Sequence, residues 1–260
     1  MKTVILAGGV GSRISEESHL KPKPMIELDN NMPILWHIMK YYSHFGFNDF
    51  IICCGYKGFI IKEYFANYYL HRSDVTFDFT NQNDLIIHNN VAEPWKVTLV
   101  DTGINTMTGG RIKRIRKYVD AKTFMLTYGD GVSNVDLNTL IAYHKKKRKI
   151  ATVTAIQPGG KFGAIEINHR TGKTTFAEKR REDGGWINGG FMVLEPGIFK
   201  YLKDDNTIFE REALEKLGQK NELAAFKHNG FWQCMDTMRD KAYLDSLIEK
   251  GDAPWMVWGK

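Results

Sequence analysis

The sequence predicts an α/β protein: a Rossmann-like open, mixed, mostly parallel sheet flanked by helices, with a small β-rich lid. Three observations carry this. The runs at residues 4–6 and 50–54 are continuously apolar, and 124–127 is apolar up to Thr127, as strands buried on both faces are. Segments with helical periodicity alternate with such runs over the first half, with short connections. Glycine-rich turns stand at the carboxyl ends of the runs, where open parallel sheets bind their ligands.

Taken in order, residues 4–6 end a buried strand that runs into Ala7-Gly8-Gly9-Val10-Gly11-Ser12-Arg13. Pro33 suits a helix start. Ile34, Leu35, Ile38 and Met39 give that helix one apolar face, and Gly46 stops it. Residues 50–54 are the next strand, and Gly55-Tyr56-Lys57-Gly58 turns into a helix reaching about Leu70. Residues 75–79 and 85–88 predict short strands around an Asn-rich turn, and 97–100 a further strand. Gly109-Gly110 opens a basic helix, where Ile112 and Ile115 interleave with cations, so 111–117 reads as an exposed face of an amphipathic helix. The strand at 124–127 ends at Tyr128-Gly129-Asp130-Gly131.

A helix then closes on Lys145-Lys146-Lys147-Arg148-Lys149, cations suited to a helix C-terminus. Beyond it the strands shorten: 151–156, 164–167, 174–178 and 187–194, separated by glycine turns. Helices at 196–203 and 207–217, a strand at 222–227 and a last helix at 238–249 complete the chain. No linker separates the halves, about 1–130 and 131–260, so residues 1–260 read as a single domain.

The composition is that of a soluble globular chain: 260 residues, 43% hydrophobic and 25% charged. No stretch reaches membrane-spanning length and no signal peptide is evident, so a cytoplasmic location is expected. Cys53 and Cys54 sit inside an apolar run and Cys234 stands alone, so reduced thiols are expected. A net charge of +6 favours anionic ligands. The basic runs lack the aromatic interleaving of a single-strand nucleic-acid platform, and no nucleic-acid partner is expected.

The first loop is the strongest signal. Glycines at 8, 9 and 11 let the backbone approach a ligand without a Cβ in the way, and successive amides form anion-binding concavities. Arg13 adds a fork of donors suited to phosphate, and Lys21 and Lys23 each precede a proline. The P-loop pattern fails, because Gly11 is followed by Ser12-Arg13. The dinucleotide fingerprint fails at Ile14. A loop holding a nucleoside triphosphate remains, beside the alternative of an ordinary strand-to-helix turn.

Asp130, between two glycines at a strand end, is a candidate Mg²⁺ ligand or the corner of an Asp-Gly turn. Asp236 is a second candidate, or the N-cap of the last helix. Glu178 and Asn188 have the donors and acceptors that sugar hydroxyls need, and Lys179 suits a phosphate.

The order AGG-x-G-S-R, KPKP, YGDG, KFGA, EK and INGGF resembles the sugar-phosphate nucleotidyltransferases. The long stretches PILWHIMKYYSHFGFNDFIICCGYKG, VTLVDTGINTMTGGRIKRI and GFWQCMDTMRDK resemble its cytidylyl branch. The resemblance covers essentially the whole chain. It implies an enzyme that joins CTP to glucose 1-phosphate, with a nucleotide-binding first half and a sugar-phosphate-binding second half. Leu6, Ala7, Gly8, Gly9, Gly11, Ser12 and Arg13 would hold the nucleotide, and Arg13 with Lys23 would contact its phosphates and act in catalysis. Thr106 and Arg111 would belong to the CTP site, of their own subunit or across a subunit contact, and Gly129 would lie near the nucleoside. Asp130 and Asp236 would bind Mg²⁺. Gly163, Glu178, Lys179 and Asn188 would face the sugar phosphate. Arg180 stands where the wider family usually has proline after Glu-Lys. A homo-oligomer, a hexamer, is implied as well.

Overall fold

The computed structural model describes residues 1–11, 14–29, 32–81, 84–89, 91–158, 164–167, 174–177 and 185–258. Its centre is an eight-stranded sheet. Lys96–Asp101, Asp49–Cys54, Thr3–Ala7 and Phe124–Tyr128 lie side by side and parallel, with Ile5 opposite Ile52 on one side and Thr127 on the other. Met192–Leu194 is antiparallel to Phe124–Tyr128 and leads on to Ala151–Ile156. Ile187–Asn188 pairs antiparallel with the far end of Ala151–Ile156, and Leu223–His228 runs parallel along its outer edge. The sheet is thus mixed and mostly parallel, as expected from the continuously apolar runs.

Alternation along each strand feeds two cores. Val4, Leu6, Ile51, Cys53 and Leu126 point to one face, where Ile112, Ile115, Phe209 and Leu214 cover them. Ile5, Ala7, Phe50, Ile52, Cys54 and Met125 point to the other, under Ile34, Leu35, Ile38, Met39 and Tyr42 of the helix Ile34–His44. Each large aliphatic or aromatic side chain buried this way contributes about 1.5–3 kcal/mol. The C-terminal Trp255 joins the second core, fully buried, and its indole N–H donates to Nδ1 of His37, 3.3 Å away.

Several elements differ from expectation, each for a local reason. The helix after Gly58 breaks at Asn67 into Gly58–Ala66 and Tyr68–His71. The run 187–194 is two strands, because Gly190 (φ 75°) and Phe191 (φ 45°) turn the chain between them. Pro196–Tyr201 is a 3₁₀ helix, and the next helix opens as a π-helix, Phe209–Leu214. Arg111 is not part of an exposed face: it is 5% exposed and turned into the molecule. A short strand that the sequence pattern hides, Gly131–Ser133, pairs antiparallel with Trp232–Cys234. The three cysteines are free thiols.

Candidate active site

The site lies at the carboxyl ends of Thr3–Ala7 and Phe124–Tyr128. These adjacent strands deliver Leu6 and Gly129 to each other, and the Gly129 amide donates to the Leu6 carbonyl at 2.9 Å. A Cβ on Gly129 would lie 2.8 Å from that oxygen and 3.0 Å from Pro24 Cγ, so the turn needs glycine. Gly11 carries a positive φ of 69°, and a Cβ there would press on Lys23 Cβ at 3.2 Å. The glycine loop is thereby packed against the Lys23 stem.

Lys23 starts a single 3₁₀ turn, Lys23–Met25, shaped by Pro22 and Pro24. It is 8% exposed. Its ammonium donates to Asp130 Oδ2 at 2.7 Å and to Asp236 Oδ1 at 2.5 Å. Burial alone would lower the Lys23 pKa, but the two carboxylates outweigh it and hold the ammonium above the ordinary lysine value. Lys21 is spent elsewhere, on Glu27 at 2.9 Å.

The two aspartates meet through backbone pairing. Gly131–Ser133 lies against Trp232–Cys234, and the Met235 amide donates to the Asp130 carbonyl at 2.8 Å. Asp236 is not the helix N-cap. Thr237 caps Met238–Glu249 in a reciprocal box with Asp240, whose Oδ2 also accepts from the Asp236 amide at 3.1 Å. The Asp130 turn and a ligand role are compatible, since Gly129 and Asp130 form the turn while the carboxylate points at Lys23. Burial, with Asp236 and Asp130 nearby, pushes the Cys234 thiol up to about 12, which leaves it inert as a nucleophile.

Arg111 holds the other side of the glycine loop. Its guanidinium donates to the carbonyls of Gly8 (3.0 Å), Gly103 (2.7 Å), Cys54 and Ile104 (both 3.3 Å), and to Thr102 Oγ1 (2.7 Å). Five acceptors from three chain segments converge on one side chain, and burial lowers its pKa from the ordinary value. Thr106 is buried within the loop that Arg111 anchors. A cavity of about 360 Å³ opens beside it, between Cys54, Gly55, Tyr56, Lys57, Asp101 and Ile104.

Asn188 sits at the end of its short strand, with Nδ2 donating to the Tyr128 hydroxyl at 3.1 Å and Oδ1 accepting from the Gly190 amide at 3.0 Å. Tyr128 in turn donates to Glu210 Oε1 at 2.6 Å, and Thr108 donates to Glu210 Oε2 at 2.8 Å. Burial and the Glu210 carboxylate push the Tyr128 pKa up, so the phenol stays protonated. Glu210 carried no signal in the sequence, because its partners Tyr128 and Thr108 lie far from it in the chain. Tyr128 carried one, its place directly before Gly129-Asp130. Of the expected site residues, Leu6, Ala7, Gly8, Gly9, Gly11, Lys23, Gly129, Asp130 and Asp236 gather around the ends of these strands. Ser12, Arg13, Gly163, Glu178 and Lys179 lie outside the described residues.

The family model for nucleotidyl transferases matches residues 2–247, nearly the whole chain. The chain belongs to that family. It is 56% identical over 260 residues to a glucose-1-phosphate cytidylyltransferase of Salmonella typhimurium, spanning 99% of this chain and 100% of that protein. It is 44% identical over 259 residues to a probable glucose-1-phosphate cytidylyltransferase of Bacillus subtilis, with 99% and 100% covered. Among solved structures, a putative glucose-1-phosphate thymidylyltransferase from Bacillus anthracis, in complex with a sucrose, superposes with a TM-score of 0.69 at 16% identity, covering 100% of this chain and 98% of that one. That likeness establishes the fold of this family for the chain.

Proposed function

We propose that this protein is a glucose-1-phosphate cytidylyltransferase, which converts CTP and glucose 1-phosphate to CDP-glucose and diphosphate. The observation that carries the reading is the 56% identity, end to end, with the Salmonella typhimurium enzyme of that name. The site geometry agrees with it: a glycine loop, a buried ammonium and two carboxylates stand at the carboxyl ends of adjacent parallel strands.

A phosphate oxygen of glucose 1-phosphate attacks the α-phosphorus of CTP in line, and diphosphate leaves with the bonding electron pair. The nucleophile is already an anion, so no general base is needed. The difficulty is bringing two anions together and stabilising charge at phosphorus, which positioned cations do. Lys23 is buried and stays protonated over the physiological range, a fixed positive charge at the loop. Arg13 joins it in this reading. Leu6, Ala7, Gly8, Gly9, Gly11, Ser12 and Gly129 surround the nucleotide. Arg111 acts through the carbonyls of Gly8, Cys54, Gly103 and Ile104, which it holds in place beside Thr106. Gly163, Glu178, Lys179 and Asn188 take the sugar phosphate.

Asp130 and Asp236 suit a divalent cation. Their carboxylates already converge on one positive group, and their oxygens are hard donors. Among the described residues no group of three or more His, Cys, Asp or Glu side chains converges to hold a metal. A carboxylate pair completed by substrate phosphates and water is the arrangement Mg²⁺ favours. When bound there, Mg²⁺ neutralises phosphate charge and orients the leaving group.

The protein assembles with further copies of itself in this reading. The ribbon of Asp74–Asp78 and Asp84–His88 leaves Phe77, Leu85, Ile86 and Ile87 exposed, and a lone two-stranded ribbon is marginal in water. Among the described residues no helix is long and apolar enough to cross a membrane.

The deciding experiment is turnover with CTP, UTP, dTTP, ATP and GTP, each paired with glucose 1-phosphate. CTP must be preferred. A preference for UTP or dTTP keeps the chemistry and refutes the base assignment; no diphosphate release from any pair refutes the function.

A further inference from the structure

Glu210 lies in the π-helix Phe209–Leu214, which contributes none of the residues assigned to either substrate. Its carboxylate nonetheless receives the Tyr128 hydroxyl on one oxygen and the Thr108 hydroxyl on the other. Thr108 opens the helix that carries Arg111, and its own oxygen accepts from the Phe209 amide at 3.0 Å. Tyr128 is the last residue of its strand, one position before Gly129. Glu210 is the second residue of its helix, and its carboxylate stands between the two.

The chemistry of this chain has one direction. An ionised carboxylate only accepts, so Glu210 makes the Tyr128 hydroxyl a donor. With its proton committed, the phenol oxygen only accepts, which turns the nitrogen of the Asn188 amide toward Tyr128. At the far end the Gly190 N–H only donates, which requires the oxygen of the same amide. Both termini impose the same orientation on Asn188. A Cβ on Gly190 would meet the Tyr128 ring at 3.1 Å, so this corner is packed tightly as well.

We propose that Glu210 is a positioning residue of the sugar-phosphate subsite: acting through the Tyr128 hydroxyl, it secures the amide nitrogen of Asn188, whose oxygen the Gly190 N–H holds, and so keeps in place the donor and acceptor that meet the sugar. This inference rests on the proposed reaction and on Asn188 facing glucose. Replacing the carboxylate by an amide of the same shape, Glu210→Gln, lets the side chain donate as well as accept. The phenol can then turn its proton toward the Asn188 nitrogen, which cannot accept it, so Asn188 loses that anchor and is held by the Gly190 N–H alone, without loss of packing.

The test compares wild type, Glu210→Gln, Tyr128→Phe and the double variant. Each is measured for KM of glucose 1-phosphate and of CTP, for CDP-glucose affinity by titration calorimetry, and for melting temperature. Glu210→Gln is expected to raise KM for glucose 1-phosphate and the CDP-glucose Kd about tenfold, the scale of one misdirected polar contact. KM for CTP should stay within about twofold, since only the sugar contact is lost. The double variant should be no worse than Tyr128→Phe, because the effect passes through the phenol. Unchanged sugar-phosphate parameters, equal loss for CTP, or additive effects would each overturn the positioning role. A wild-type protein inactive with CTP and glucose 1-phosphate would instead refute the proposed function, an outcome separable by measuring it first.

Discussion

The guanidinium of Arg111 occupies the space that a side chain on Gly8 would need: a Cβ on Gly8 would lie 2.1 Å from Arg111 Nη1. The same nitrogen would meet a Cβ on Gly55 at 2.4 Å. The glycines at 8 and 55 therefore serve a buried cation as well as any ligand. Gly8→Ala should expel the guanidinium from its carbonyls and raise KM for CTP, with a loss of about 2–4 kcal/mol in chemical denaturation. Arg111→Lys should do much the same, since one ammonium does not reach five acceptors across three segments. Near-normal stability in both variants would show that the carbonyl cluster holds without the fork.

Asp130→Asn and Asp236→Asn should each lower kcat by orders of magnitude, because each removes a carboxylate from the proposed cation site. Melting temperature should change by only a few degrees, as the side chain keeps its shape. Mg²⁺ titrations of activity should shift to higher concentration in both. A variant with wild-type turnover would take that aspartate out of the site.

Thr237→Ala should cost about 1 kcal/mol through loss of the helix cap. It should also lower kcat, since the same Asp240 carboxylate that bonds Thr237 holds the Asp236 amide. Loss of stability with unchanged kcat would separate the cap from the site.

Stability should fall as pH drops below about 6.5. Burial in the aromatic core, where Nδ1 accepts the Trp255 indole proton, lowers the His37 pKa to about 4, and Asp245 opposes it. The unfolded chain binds a proton near 6.5 and the folded chain only near 4, so the unfolded state takes up protons first. The stabilisation is whole above 6.5 and fades through the window down to 4, on the order of 3 kcal/mol in all. Urea denaturation between pH 7.5 and 4.5 measures it. The slope should flatten in His37→Gln, and a slope unchanged by that substitution would assign the acid sensitivity elsewhere.

Phe77 and Phe79 stack at 6.1 Å on the exposed ribbon. Replacing both by serine should reduce the solution mass seen by light scattering, with the monomer's secondary structure retained. An unchanged mass would move the contact between copies to another surface.

Much of the architecture was legible because it is local. The run at 50–54 is apolar at every position and 124–126 continues the pattern up to Thr127, as a strand covered on both faces does. The two aspartates were legible as candidates from their neighbours. Their meeting was not, since it depends on pairing Gly131–Ser133 with Trp232–Cys234 across about a hundred residues. Arg111 looked like any cation of its basic run, and its burial follows from glycines far away in sequence. Glu210 was invisible, because the two hydroxyls it accepts from, on Tyr128 and Thr108, lie 82 and 102 positions away in the chain.

Lys23 and Asp236 are 213 positions apart in the chain. During synthesis the glycine loop is made long before Asp236 exists. The carboxylate that meets Lys23 from the far end of the chain therefore comes late, with Met238–Glu249 and Trp255 to follow. The proposed group transfer thus waits on the last part of the chain to be made. A molecule cut short before Asp236 would lack that carboxylate and part of the core beneath the site.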